Sequence, residues 1–554
     1  MSSPNASIRR LFAIDLRSLA ACRIFLAAIL LVDLAIRATD FTAMYTAEGI
    51  MPIELVRDFY RERGTWHGSL YWFHPSPVYQ GGLLMVAALA AIALLLGYRT
   101  RLATIASWLL LLSLHNRAPL VTNAGDTLLR LLLFWAMFLP WGQAWSLDAR
   151  RTKAITPAPQ GAFSAASAAI LLQVCLMYWL TALFKIEAGW LDGAGLADSL
   201  AFESYQRPLA AALLAYPRLC EMLTYATVAL ELIGPLLVWL PWQTARIRLA
   251  VIAAFVALHV GIEATLYVGL FSWVSFAAWT LFLPFRFWDG ITSRIRGARR
   301  ESASGAKRGL APSPATVGTT DRSPAKVPVP VSRVPVSRAM QIAINLICAL
   351  AFLYVVLWNV DTWVRRITRP DASGAAVTSE TEDSFQRAEN KLGTPFRVMP
   401  RWLQHPGEAL MIRQNWAMFS RPAQFDGWFL GRATLKNGRK IDLLRNGTSI
   451  SGDIASHRPR PISAMFPNHR WRKFYNSLRS ERFASFRQPT AEYLCRLWQR
   501  EHQGKPEADI LLFELLLVRE PMHGQALGEI VVTDTLARLE FGSVEEMLDF
   551  ELPY

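Results

Sequence analysis

The sequence predicts a polytopic α-helical membrane domain of eight to nine spans followed by a C-terminal exterior α+β domain rich in strand. Three observations carry this. Hydrophobic residues make up 53% of the 554 positions and charged residues only 18%. The apolar residues gather into long runs, and a spanning helix needs roughly 20 of them. Beyond about residue 390 those runs give way to short alternating segments. This balance excludes a soluble enzyme, a disordered chain or a collagen-like one. A formal charge of +15 would suggest nucleic acid in a soluble protein, but here the excess lies in loops between apolar runs and reads as positive-inside topology. Cys22, Cys175, Cys220 and Cys348 fall inside apolar runs and no CxxC pair or zinc spacing occurs, so buried thiols are expected and no metal is indicated.

Residues 1–17 are a basic, cytoplasmic N-terminus. Nine apolar runs follow, at 18–36, 81–97, 101–114, 127–140, 164–184, 219–240, 247–266, 268–284 and 340–362. The third and fourth hold only about 14 residues, too few at about 1.5 Å each to cross a core of about 30 Å. They extend into the polar stretch between them or are re-entrant. The first run carries Arg23 and Asp33 and is too long and charged for a cleaved signal peptide. If every run before 285 crosses, the loops holding Arg99 and Arg101, Arg150 to Lys153, and Arg246 and Arg248 share the side of the N-terminus. So does the 285–340 stretch, with eleven Lys/Arg against three Asp/Glu, and residues 291–339 within it read as a disordered, Pro/Ser-rich cytoplasmic linker. The membrane domain thus occupies 18–290, with a final span at 340–362. The loops at 37–80, 115–126 and 185–218 and the C-terminal domain then share the exterior face of a bacterial inner (plasma) membrane.

A polar linker near 371–390 leads into the exterior domain at 385–554. Trp428-Phe429-Leu430 and Ala433-Thr434-Leu435 alternate, and Asn437-Gly438 before Lys440 to Leu444 is a strong hairpin signal. Ile510 to Val518 reads as a strand, while Arg470 to Arg487 and Thr490 to His502 read as basic, aromatic helices whose Arg and Lys face solvent or lipid headgroups. An exterior location removes nucleic acid as a partner.

Three groups of polar residues could carry chemistry. Lys185 ends the fifth run. It reads either as an anchor reaching for the membrane surface or as a partly desolvated amine able to act as a base, with Glu187 as charge partner. His259 lies inside the seventh run with Glu263 one helical turn on, either a structural His–Glu pair or a functional residue. The stretch from His115 through Asn116, Arg117 and Asp126 to Arg130 is densely polar. It could form an anion or substrate pocket or a buried network tying short helices together, and Asp126 also suits a helix cap. No P-loop, GxGxxG, HExxH, GxSxG or paired-carboxylate signature occurs where the fold would support it, and no inverted repeat marks a secondary transporter.

With these residues laid out, the chain resembles the HTTM (horizontally transferred transmembrane) family, whose best-known members are the vitamin K-dependent gamma-glutamyl carboxylases. The likeness runs over about 18–290. It comprises Leu96-Gly97-Tyr98-Arg99, the polar loop from His115 to Arg130, Trp145-Ser146-Leu147-Asp148, the stretch from Lys185 to Gly193, and His259 followed by Gly269-Leu270-Phe271-Ser272. Asn415 to Ser420 and Asp426-Gly427-Trp428 look like the exterior β-rich domain of bacterial relatives. The resemblance implies an exterior-facing membrane site where a Lys deprotonates a reduced quinone, vitamin K or menaquinol. Oxygen then converts it to a strong base and finally the epoxide, and that base removes a glutamate proton before CO2 is added. Lys185 matches that Lys and His259 a His of the same site. Gln143 stands where the carboxylases carry a functional His, and glutamine can hydrogen-bond a developing anion but cannot transfer a proton.

The reading is therefore a bacterial HTTM protein, a quinol-linked carboxylase- or epoxidase-like lyase. Its catalytic residues are Lys185, His259 and Gln143, and its substrate- or cofactor-binding residues are His115, Asn116, Arg117, Asp126, Arg130 and Trp190. Trp179, Phe184 and Phe271 wall the pocket with Trp190. Its partners are the lipid bilayer and an exterior protein or peptide. The alternative is a non-catalytic anchor or assembly factor that presents the C-terminal domain to a partner.

Overall fold

The computed structural model describes residues 9, 11–151, 160–241, 243–305, 337–367, 398–420, 425–452, 454–522 and 532–541. Strand β1 (Ile14–Asp15) pairs antiparallel with β2 (Gly161–Ala162), and the Asp15 carboxylate accepts from the Arg17 N–H to cap α1 (Leu16–Thr39). After α2 (Ile53–Glu62) come α3 (Pro77–Leu96), α4 (Thr100–Arg117), α5 (Ala124–Ala136), α6 (Ala165–Glu187), α7 (Gly195–Ala201), α8 (Pro217–Leu237), α9 (Thr244–Thr265), α10 (Phe271–Trp279), α11 (Phe285–Gly305) and α12 (Arg338–Ile367).

Among the described residues six helices, α1, α3, α6, α8, α9 and α12, are long and apolar enough to cross a membrane. The run expected at 127–140 becomes α5, 13 residues between an Asn123–Asp126 capping box and Met137. At about 1.5 Å per residue it is near 20 Å long. The run at 268–284 shortens to α10 and one tighter turn. Helix α11 occupies 291–305, where a disordered linker was expected to begin. The rest of that linker to 336, and the polar linker near 371–390, lie outside the described residues.

In the C-terminal domain, α13 (Arg401–Ala409) precedes β3 (Phe425–Leu435), β4 (Lys440–Asp442) and β5 (Thr448–Ser449). Then come α14 (His469–Leu478), α15 (Arg487–Glu501), β6 (Ile510–Pro521) and β7 (Val532–Glu540). The strands form one antiparallel sheet in the order β5-β4-β3-β6-β7. The Asn437-Gly438 hairpin joins β3 to β4, with Gly438 at φ 79°. The two segments expected around Trp428 and Ala433 are one strand, and β7 had no sequence counterpart among the expected elements. The Arg470–Arg487 helix is shorter than expected, ending at Leu478.

The C-terminal domain sits on one end of the helical domain, against three loops. Asp40 accepts from Asn468 Nδ2 (2.6 Å) and Trp471 Nε1 (2.9 Å), Leu120 O accepts from Ser477 Oγ (2.8 Å), and Arg458 pairs with Glu203 (3.1 Å). The opposite end holds β1, β2 and the turn at 139–146, where Arg23 Nη2 donates to Trp145 O (2.5 Å) and Asp148 accepts from the Arg99 N–H (2.9 Å). All five cysteines are free and buried.

Candidate functional site

A cavity of about 360 Å³ opens where α6, α7, α8 and α9 meet the C-terminal domain, within the range of about 300–1,000 Å³ typical of small-molecule sites. Its walls are mostly apolar, from Met177, Leu258, Ile262, Val268, Phe271 and Phe419. Helix α6 delivers Lys185 in its last turn and stops because Gly189 adopts a left-handed conformation, φ 92°. The chain then turns back and lays the Trp190 ring over the amine, Nζ 4.6 Å from the ring centre. Trp190 is fixed from two sides. Its Nε1 donates to Phe419 O (3.1 Å), and α7 passes so close that a Cβ at Gly195 would fall 2.3 Å from the ring.

Lys185 is 5% exposed and its Nζ donates to Glu231 Oε1 on α8 at 2.6 Å, so it is turned inward rather than reaching for the membrane surface. Glu187, the charge partner expected from sequence, pairs instead with Arg366 (2.7 Å). Glu231 was not singled out, although a carboxylate in the middle of the apolar run 219–240 is itself a signal of a functional or paired residue. Its second oxygen, Oε2, is buried and has no hydrogen-bond partner.

His259 faces the same cavity from α9, with Nε2 2.7 Å from Tyr178 Oη. Trp279 Nε1 also donates to that hydroxyl (3.0 Å). With Nε2 accepting, the neutral imidazole carries its proton on Nδ1, an atom that is buried and unpartnered. The expected His259–Glu263 pair does not form, because Glu263 binds Arg207 (2.7 Å).

The remaining sequence candidates lie elsewhere. His115, Asn116, Arg117, Asp126 and Arg130 are buried, but none lines the cavity. Asp126 and Asp33 are both held by Arg470 of α14 and by Arg37, which reaches them at 3.3 and 2.8 Å. His115 Nδ1 lies 2.7 Å from Arg130 Nη1, and Arg130 Nε donates to Met411 O (3.0 Å). Asn116 and Arg117 donate to Gly68 O and Met51 O, each at 2.7 Å. Of the two sequence readings, these residues form the buried network, and its main load is an arginine from the C-terminal domain. Asp33, His115 and Asp126 have ligand atoms within 4.8 Å of one another, a spacing that suits a cation, and guanidinium groups supply that charge. Gln143 is exposed in the turn beside Arg23. Between Arg23 and Arg37 run 14 residues of α1, about 21 Å of helix, so Gln143 is at the far end from the C-terminal domain and does not join Lys185 and His259.

Outside the spans, His469 of α14 packs its ring against Gly269, where a Cβ would come within 2.6 Å. Burial, with Arg470 beside it, lowers the imidazole to about 3, so it is neutral. Burial also raises Asp426, although Ser204 Oγ donates to it across the domain junction.

Long apolar helices with buried ionisable pairs among them point to an integral membrane protein. The family model for the HTTM domain matches residues 13–287, so the helical part of the chain carries an HTTM domain, which suggests a membrane protein of the carboxylase-related family. No curated protein and no solved structure matches the chain.

Proposed function

We propose that this HTTM protein admits a lipid-soluble, quinol-like molecule to the cavity and that Lys185, with Glu231 as its proton partner, takes a proton from its hydroxyl group. The observation that carries this reading is the incomplete pairing around the cavity. Glu231 Oε2 and His259 Nδ1 are buried without partners beside apolar walls, and a flat apolar body bearing oxygen atoms would satisfy both. A reduced vitamin K or menaquinol fits that donor set, and with O2 it supplies the strong base that the carboxylase resemblance implies for adding CO2.

The residues divide the work. Lys185 Nζ donates to Glu231 Oε1 across 2.6 Å, and passing that proton to the carboxylate would free the amine while leaving the pair neutral overall. Trp190 and Phe419 cover the amine and keep water from it. His259, held by Tyr178, can donate Nδ1–H to an oxygen that gains charge. Gln143 has no part at this end. The basic end of the helical domain is cytoplasmic by the positive-inside rule, which places the cavity and C-terminal domain toward the periplasm, where an exterior protein or peptide would accept the carboxyl group.

The test is to incubate membranes holding wild type or Lys185→Ala with reduced menaquinone or vitamin K, oxygen and bicarbonate, and to measure quinone epoxide by mass spectrometry. Wild type makes epoxide and the variant at least about 100-fold less, as for loss of an acid–base group. No epoxide from folded wild type overturns the reading.

A further inference from the structure

One wall of this cavity comes from the C-terminal domain and carries the guanidinium of Arg472. Arg472 of α14 is 4% exposed and lines the cavity. Among the described residues no carboxylate lies within 4.0 Å of it, and its Nε and Nη1 have no hydrogen-bond partner. Its guanidinium rests on the rings of Tyr205 (4.2 Å) and Tyr267 (5.0 Å), which support a cation but do not neutralise it. The nearby Arg207 already has Glu263, and Lys473, also on the cavity wall, meets no carboxylate within 4.0 Å among the described residues. Burial accordingly lowers the Arg472 guanidinium from its ordinary value. Arg470, two residues earlier, by contrast meets the carboxylates of Asp33 and Asp126.

Arg472 and Lys185 sit apart along the cavity wall. Lys185 lies under Trp190, Trp190 donates to Phe419 O, Phe419 packs on Tyr205 (5.4 Å), and Tyr205 carries Arg472. We propose that the Arg472 end is an anion subsite, and that the cavity takes a molecule with an apolar body and an acidic oxygen group, the acidic group at Arg472. This rests on reading the cavity as a ligand site and adds the charge of one of its ligands. The walls between the two ends, Phe202, Leu266, Met418 and Phe419, suit the apolar body.

The test needs neither quinol nor oxygen. Binding of decanoate, decyl phosphate and decanol to the full chain in phosphatidylcholine nanodiscs is measured by equilibrium dialysis. Wild type should bind the two acids at least about tenfold more tightly than decanol, the worth of a hydrogen bond to a charged group. Arg472→Gln should lose that preference while still binding decanol, which shows that its cavity is folded, and Arg472→Lys should keep part of it. Equal binding of acid and alcohol by wild type overturns the proposal, as does a preference that survives Arg472→Gln. Acetate, which lacks the apolar body, should not displace decanoate at equal concentration; if it does, the site takes small anions and not amphiphiles. Epoxide formation with no acid preference would sink this inference alone, and the converse would sink the quinol reading alone.

Discussion

Two clusters of ionisable groups are buried in this molecule, and they differ in how completely they are paired. Around Arg470, two carboxylates meet two guanidinium groups, and Tyr45 accepts from Arg37 at 2.7 Å. Around the cavity, Lys185 meets Glu231, but Arg472 meets no carboxylate among the described residues. Both clusters bear the desolvation cost of burial, but only in the first does every guanidinium meet a carboxylate. The balance of opposite charges, not the presence of charge, separates the junction between the domains from the cavity wall at Arg472.

The largest effect should come from breaking the complete cluster. Arg470→Met leaves Asp33 and Asp126 buried with Arg37 alone, and a broken buried ion pair costs about 3–5 kcal/mol. Thermal unfolding and protease sensitivity of the C-terminal domain should show its undocking; an unchanged unfolding midpoint would erase the contrast. In the incomplete cluster, Lys185→Met alone should destabilise by a similar amount by stranding Glu231, while Lys185→Met with Glu231→Leu should recover most of it, because an apolar pair of similar volume is tolerated. That double variant should fold and make no epoxide, separating site from scaffold.

A smaller effect follows from pH. His469 is held near 3 in the folded protein against about 6.5 in an unfolded chain. As pH falls below about 6.5 the unfolded state binds the proton that the folded state refuses, so stability drops by about 1.4 kcal/mol per pH unit. Arg470 and Arg472 oppose the proton, and Asp33 and Asp126 favour it. Denaturant titrations at pH 7 and pH 5 should show the loss, and His469→Gln should flatten it. The smallest effect belongs to Gln143→Ala. At an exposed turn remote from the cavity it should change stability by less than about 0.5 kcal/mol and leave epoxide formation alone; a large loss would bring that residue back into the site.

The long apolar helices were legible from composition and run length, and Lys185, His259 and Trp190 from the family resemblance together with their place beside apolar runs. The short helices were not, because α5 and α10 are buried among other helices and need not reach across a bilayer. The role of His115 to Arg130 could not be read locally, since the partner that decides it, Arg470, lies 344 residues from Asp126 in sequence. Arg470 and Arg472 were expected to face solvent or headgroups as part of a basic helix. Packing α14 into the junction buries them, and only that packing shows that one is paired and the other is not.

The most direct measurement is photo-crosslinking of an azido-naphthoquinone to the full chain in nanodiscs, with the labelled peptides mapped by mass spectrometry. Label on α6, α9 and the segment holding Phe419, reduced by excess menaquinol, is the expected result. Label confined to residues 33–37, 115–117 or the turn at 139–146 would contradict the account, because it would place the ligand in the cluster whose charges are already satisfied, or at the opposite end of the protein.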